Sequence, residues 1–136
     1  MTEKSKTKYY LVDASKKPLG RFATKVAFLL RGKNSPAYRP NVLPNIIVIV
    51  INAKGTYLSG NKNSSKQYFK YSGYHGGIKT TTFSTLQKDN PVAIVRHAVR
   101  GMLPDNRMRD KLMKNLKIYP DSNHPYINEK NLIVEE

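Results

Sequence analysis

The chain has 136 residues, 39% of them hydrophobic, which suits one domain with a modest core and is short for two. Lys and Arg number 24 against 9 Asp and Glu, a net charge of +15. Such an excess self-repels in a compact state and points to a polyanionic partner. The absence of cysteine excludes disulfide scaffolds, thiolate zinc sites and cysteine nucleophiles. Residues 1–8 are a polar arm unlike a secretory leader, and no apolar run nears the ~18 residues of a membrane span.

In chain order, residues 9–12 read as a short apolar strand and residues 13–18 as a turn. From 19 to 31 the apolar residues Leu19, Phe22, Ala23, Val26, Ala27, Leu29 and Leu30 keep a helical spacing, and Gly32 is the expected stop. A loop with three prolines covers 34–44. Ile46–Ile51 is an unbroken apolar run, the pattern of a strand buried on both faces between helices. Strand, helix and buried strand make a βαβ unit. A short strand is expected around residues 56–58, a turn or loop at 60–65 and an extended arm at 66–71. A glycine-rich loop at 73–77 and a β-prone stretch at 78–83 follow. Ser84 with Gln87 resembles a capping box for a brief helix. Asn90-Pro91 supplies an N-cap and a proline for a helix to about Gly101, with Val92, Val95, Val99 and Met102 on one face. After Pro104, a last helix capped by Asp105 or Asn106 carries the stripe Met108, Leu112, Leu116. The remainder, about 120–136, reads as a tail.

Charge is distributed unevenly. From residue 14 to 88 there is no carboxylate, while 13 Lys or Arg fall in those 75 residues. That is a poor setting for general acid–base catalysis or a hard-metal site, and a good one for lying against phosphates. Lys62, Lys66, Lys70 and Lys79 interleave with Tyr68, Phe69, Tyr71 and Tyr74 around Gly73, His75, Gly76 and Gly77. Lysines neutralise phosphates, rings stack on unpaired bases, and glycines let backbone N–H groups approach closely. An ordinary hairpin with solvated lysines is the plain alternative. A second group, Arg96, Arg100, Arg107, Arg109, Lys111, Lys114 and Lys117, lies on two helices around a break. There Asp110 could instead pair with Lys114 on a solvated face. Arg31 and Lys33 serve helix capping or phosphate contact equally well, and Lys54 completes the RNA-facing set. No P-loop or dinucleotide motif occurs, and His75, His97 and His124 lack metal-ligand spacing. Neither a catalytic residue, a metal site nor a cofactor is expected. A small-molecule substrate and a membrane partner are not expected either.

Several blocks together resemble a known family. They are Val12-Asp13-Ala14, Leu19-Gly20-Arg21 with Ala23-Thr24, Leu30-Arg31-Gly32-Lys33, and Val50-Ile51-Asn52-Ala53. Ser59-Gly60-Asn61-Lys62, the loop Ser72-Gly73-Tyr74-His75-Gly76-Gly77, and the most specific block, Val99-Arg100-Gly101-Met102-Leu103-Pro104, follow. Leu116-Lys117-Ile118-Tyr119 and His124-Pro125 complete the series. In this order they are similar to the large-subunit ribosomal protein L13 family of bacterial or organellar type. The resemblance implies an α/β fold, three layers around a mostly parallel or mixed four-stranded sheet with basic loop and tail extensions, as one domain over 1–136. It implies a monomer within the ribosome, in the cytoplasm, that binds large-subunit rRNA early in assembly beside neighbouring large-subunit proteins. Repression through messenger RNA is a further family property. Three positions depart from the family pattern. Asn41-Val42-Leu43-Pro44-Asn45 replaces an acidic stretch, His75 replaces a proline, and Met108-Arg109 replaces a Leu-Gly pair. The rival readings are a free regulator of mRNA or DNA, for which no helix-turn-helix or zinc-finger reader is present, and an enzyme on RNA or nucleotides.

Overall fold

The computed structural model describes residues 6–60, 62–129 and 132–135. Residues 1–5 of the polar arm, Asn61 of the 60–65 loop, and residues 130, 131 and 136 of the tail lie outside the described residues.

Strand β1 (Lys8–Asp13) leads through helix α1 (Leu19–Leu30) to strand β2 (Ile46–Ile51). The two strands pair in parallel, Lys8 with Ile46 through Asp13 with Ile51. The whole helical stripe of α1, from Leu19 to Leu30, is buried; Phe28, off the stripe, is exposed. Arg31 closes the helix before Gly32 turns at φ +72°. The expected short strand at 56–58 does not form. Residues 56–58 take no regular structure; a 3-10 turn (Ala53–Gly55) precedes them, and the buried Thr56 hydroxyl donates to the Ala53 carbonyl at 2.8 Å. The backbone is satisfied without a strand partner: the Thr56 N–H donates to the Ala53 carbonyl, and the Tyr57 carbonyl accepts from the Leu19 N–H.

A four-residue helix α2 (Lys62–Ser65) precedes an antiparallel hairpin, β3 (Gln67–Tyr71) and β4 (Ile78–Thr82). Helix α3 (Phe83–Asp89) follows, capped by Thr82, whose Oγ1 accepts from the Thr85 N–H at 3.4 Å. The cap therefore sits two residues before Ser84, the position expected from sequence. Gln87 reaches across instead of closing a capping box: its Nε2 donates to the carbonyls of Lys54 and Thr56. Helix α4 (Pro91–Met102) starts as expected at Asn90, which accepts from the Ala93 N–H. Its core face is Ile94, Val95 and Val99, while Met102 is exposed. Asn106 caps helix α5 (Arg107–Lys114) by accepting from Met108 and Arg109.

Two short strands depart from the sequence expectation. Leu116 does not extend the α5 stripe; α5 stops at Lys114, and β5 (Leu116–Ile118) pairs in parallel with β2. The tail contains β6 (Leu132–Glu135), parallel to β1. The sheet order is β5-β2-β1-β6, so β1 and β2 are central. Register and pleat place Tyr10, Val12, Val48 and Val50 on one face, where they join Phe22, Phe83, Ile94, Val99 and Leu112 in one core cluster. Helices α1, α3, α4 and α5 all contribute to it. Tyr9, Leu11, Ile47 and Ile49 share the opposite face, and Ile49 is fully buried although outside that cluster. The layer on this side is thin. Tyr9 meets the ring of Tyr126 at 5.8 Å, beside Tyr119, and residues 125–128 form turns. Asn52, at φ +57°, anchors the approach to that layer, where the N–H groups of Asn52, Ala53 and Lys54 donate to the carbonyls of Asp121, Tyr119 and Pro120.

Candidate nucleic-acid interface

The β3–β4 hairpin sorts its side chains by pleat. Tyr68, Lys70, Lys79 and Thr81 fall on one face, with Lys70 directly opposite Lys79. Phe69, Tyr71 and Ile78 fall on the other and are 70%, 63% and 63% exposed, so the second face is an uncovered apolar strip. Tyr68 anchors the ribbon to the core: its ring meets His97 of α4 edge-on at 5.5 Å, and Lys66 Nζ lies 5.7 Å from its centroid. Burial pushes the Tyr68 hydroxyl pKa up from its usual value. At the tip the Ser72 N–H donates to the Gly77 carbonyl and the Gly77 N–H to the Tyr74 carbonyl. A Cβ on Gly77 would run into Ser72 Oγ, so this position needs glycine for close approach. Tyr74, His75 and the glycines at 73 and 76 are exposed at the tip.

The second predicted group divides. Arg96, Lys114 and Lys117 come together around an open cavity of about 530 Å³ between α4, α5 and β5, with no carboxylate in its lining. Arg107 and Lys111 are exposed and make no salt bridge among the described residues. Arg109 and Arg100 do. Arg109 Nη2 sits 3.0 Å from Asp105, and Arg100 Nη1 sits 3.7 Å from Asp110. Asp110 thus faces Arg100 rather than Lys114. Lys54 is held by both carboxylate oxygens of Asp121, at 3.0 and 3.2 Å. Of the predicted contact residues, these three carry an acidic partner of their own.

At the end of α1, Arg31 turns back to the following loop, donating to the Tyr38 hydroxyl at 2.8 Å with its guanidinium 5.9 Å from the ring centroid. Lys33 is exposed. Beside Arg31, a cavity of about 280 Å³ gathers Lys6, Lys8 and Arg39, which the sequence reading did not single out. For Arg39 a signal was present: it lies inside the carboxylate-free run, in the loop with three prolines. No hydrophobic period marks the loop, so its sequence alone indicates only a connection.

The model of the family described as ribosomal protein L13 matches residues 7–125. A large ribosomal subunit protein uL13 of Treponema pallidum (strain Nichols) is 50% identical over 118 residues, covering 87% of this chain and 83% of the relative. The proteins of the same description from Desulfitobacterium hafniense (strain DCB-2) and Trichodesmium erythraeum are each 46% identical. They cover 88% and 90% of this chain and 83% and 82% of their own lengths. The chain belongs to the ribosomal protein L13 family.

Within an L13-family chain the motif blocks now have physical content. Val99 and Leu103 of the Val-Arg-Gly-Met-Leu-Pro block are buried in the core, and the Leu103 N–H closes α4 on the carbonyls of Val99 and Arg100. Arg100 faces outward from the same block. The block therefore ends one helix, aims one cation and starts the turn into α5. None of the three histidines stands in a metal-binding group among the described residues. His97 and His124 pack on Tyr68 and Tyr119, and His75 is at the hairpin tip.

Proposed function

We propose that this L13-family protein is a structural constituent of the large ribosomal subunit, in the cytoplasm, that binds large-subunit rRNA and supports early assembly. Residues 1–136 act in this reading as one domain, a monomer within the ribosome, contacting neighbouring subunit proteins and performing no catalysis. The family membership supports the ribosomal role. The observation that carries RNA binding is the facing pair Lys70 and Lys79 on a hairpin without a carboxylate. Like charges directly opposite across strands cost stability, and a bound phosphate backbone is what offsets that cost. The proposed contact residues are the hairpin lysines and tip, Arg96 with Lys114 and Lys117, Arg107 with Lys111, and the end of α1. Binding of messenger RNA, with repression of translation, is a secondary role for the same surface.

Sucrose-gradient sedimentation of a lysate tests this reading. The tagged chain is expected to migrate with the large subunit; a chain confined to the soluble fractions refutes the proposal. Crosslinking to rRNA then maps the contacts, with hairpin and α4–α5 peptides expected among them.

A further inference from the structure

The loop at 33–45 does more than join α1 to β2. It folds back until Pro44 lies against Gly32; a Cβ there would stand 3.1 Å from Pro44 Cβ. The fold-back forms one wall of two adjoining pockets, both open to solvent. The larger, about 280 Å³, is lined by Lys6, Lys8, Arg31 and Arg39, with no carboxylate in its wall. The smaller, about 110 Å³, extends toward α5 and is lined by Pro40, Val42, Pro104, Met108 and Leu112. Arg31, Tyr38, Arg39, Val42 and Pro44 line both and so stand between them.

None of the four cations forms a salt bridge among the described residues. Four positive charges around one cavity repel each other until an anion enters. Arg31 is already oriented by the Tyr38 hydroxyl, at 2.8 Å, so less freedom is lost when it binds. The second pocket is smaller and mixed: Arg31, Arg39 and Asn106 stand beside Pro104, Met108 and the Tyr38 ring. A small lining that mixes polar and apolar groups suits one flat heterocycle with hydrogen-bonding edges. A phosphate joined over a few ångströms to a planar base is a nucleotide.

We propose that this loop holds one unpaired nucleotide, its phosphate among Lys6, Lys8, Arg31 and Arg39 and its base in the smaller pocket beside Tyr38 and Met108. A base stacked in a duplex does not reach such a pocket; an unstacked one does. The natural source, an RNA strand, rests on the RNA-binding reading above. A free nucleotide offers the same chemistry.

The experiment measures fluorescence anisotropy with a short oligoadenylate, the same strand paired in a duplex, and fluorescently labelled AMP as a direct ligand, all at one salt concentration. The single strand is expected to bind about tenfold more tightly than the duplex, the scale of one ring–base contact. Arg39→Ala and Tyr38→Ala, each checked by thermal melting, are expected to lose that preference. A Lys70→Ala, Lys79→Ala double variant should weaken both RNAs and keep it. Equal binding of single strand and duplex by the unaltered protein overturns the nucleotide pocket and leaves RNA binding standing. No binding to either RNA, with saturable AMP binding lost in Arg39→Ala, supports the pocket with a free nucleotide and overturns the RNA reading. No binding to any of the three overturns both.

Discussion

Asp13 shows how much a single side chain depends on neighbours. Partial burial alone would raise its pKa. Hydrogen bonds from the Ser15 hydroxyl at 2.6 Å and the Ser15 N–H at 2.9 Å, with Asn52 and the Lys16 charge, outweigh that and hold it below its ordinary 3.8. A depressed carboxyl pKa contributes stability above the unfolded-state value, and that contribution is lost as pH falls through the lower folded value. Ser15→Ala is therefore expected to destabilise by about 1 kcal/mol near neutral pH. The gap from the unaltered protein should close in acid, below 3.8, as read from urea melts across pH. A pH-independent gap would show that the charge of Asp13 is not involved. In the core, Phe83 is 1% exposed at the first turn of α3. Phe83→Ala should cost about 3–5 kcal/mol through lost burial and the cavity left behind, measured by the same melts. The sequence marked Phe83 only as the end of a β-prone stretch; its burial comes from where α3 packs.

Elements differ in how far local residues decide them. Helices α1 and α4 were legible because their apolar spacing and the Asn90-Pro91 start are local signals that packing then reinforced. Strand β5 was not. Leu116 follows Leu112 by four residues and fits a helical stripe, yet α5 ends at Lys114 and residues 116–118 take the open edge of β2. The four residues of β6 give too short a pattern to separate strand from tail, and pairing with β1 decides them. The hairpin was legible in composition but its facing was not: only the register shows Lys70 opposite Lys79. This predicts opposite signs for two measurements. Lys79→Glu should stabilise the fold by about 0.2–1 kcal/mol by replacing a like pair with an opposite one. It should also weaken rRNA binding in filter or anisotropy assays. A substitution that lowers both stability and affinity would mean the lysines are structural.

For the molecule as a whole, the +15 charge is held by a small core whose helices converge on one face of a parallel sheet. Binding governed by phosphate contacts should weaken by a factor of about 10³ or more between roughly 50 and 200 mM salt. The Lys70→Ala, Lys79→Ala double variant should reduce the slope of log affinity against log salt by about 2, as read from titrations at several salt concentrations. An unchanged slope would place those lysines away from the nucleic acid. Sequence by itself determined the α/β class, the buried central strand, the carboxylate-free run from 14 to 88 and, through ordered motif blocks, the family. These rest on composition and on contacts between residues near in the chain. Tertiary structure alone decided which cations keep acidic partners, as Lys54 does with Asp121 across 67 residues. It also gathered Lys6, Lys8 and Arg39 beside Arg31 around one cavity. Charge is a property of each residue, whereas a partner or a pocket is a property of distances, and distances between remote segments are fixed only when the sheet and its helices close.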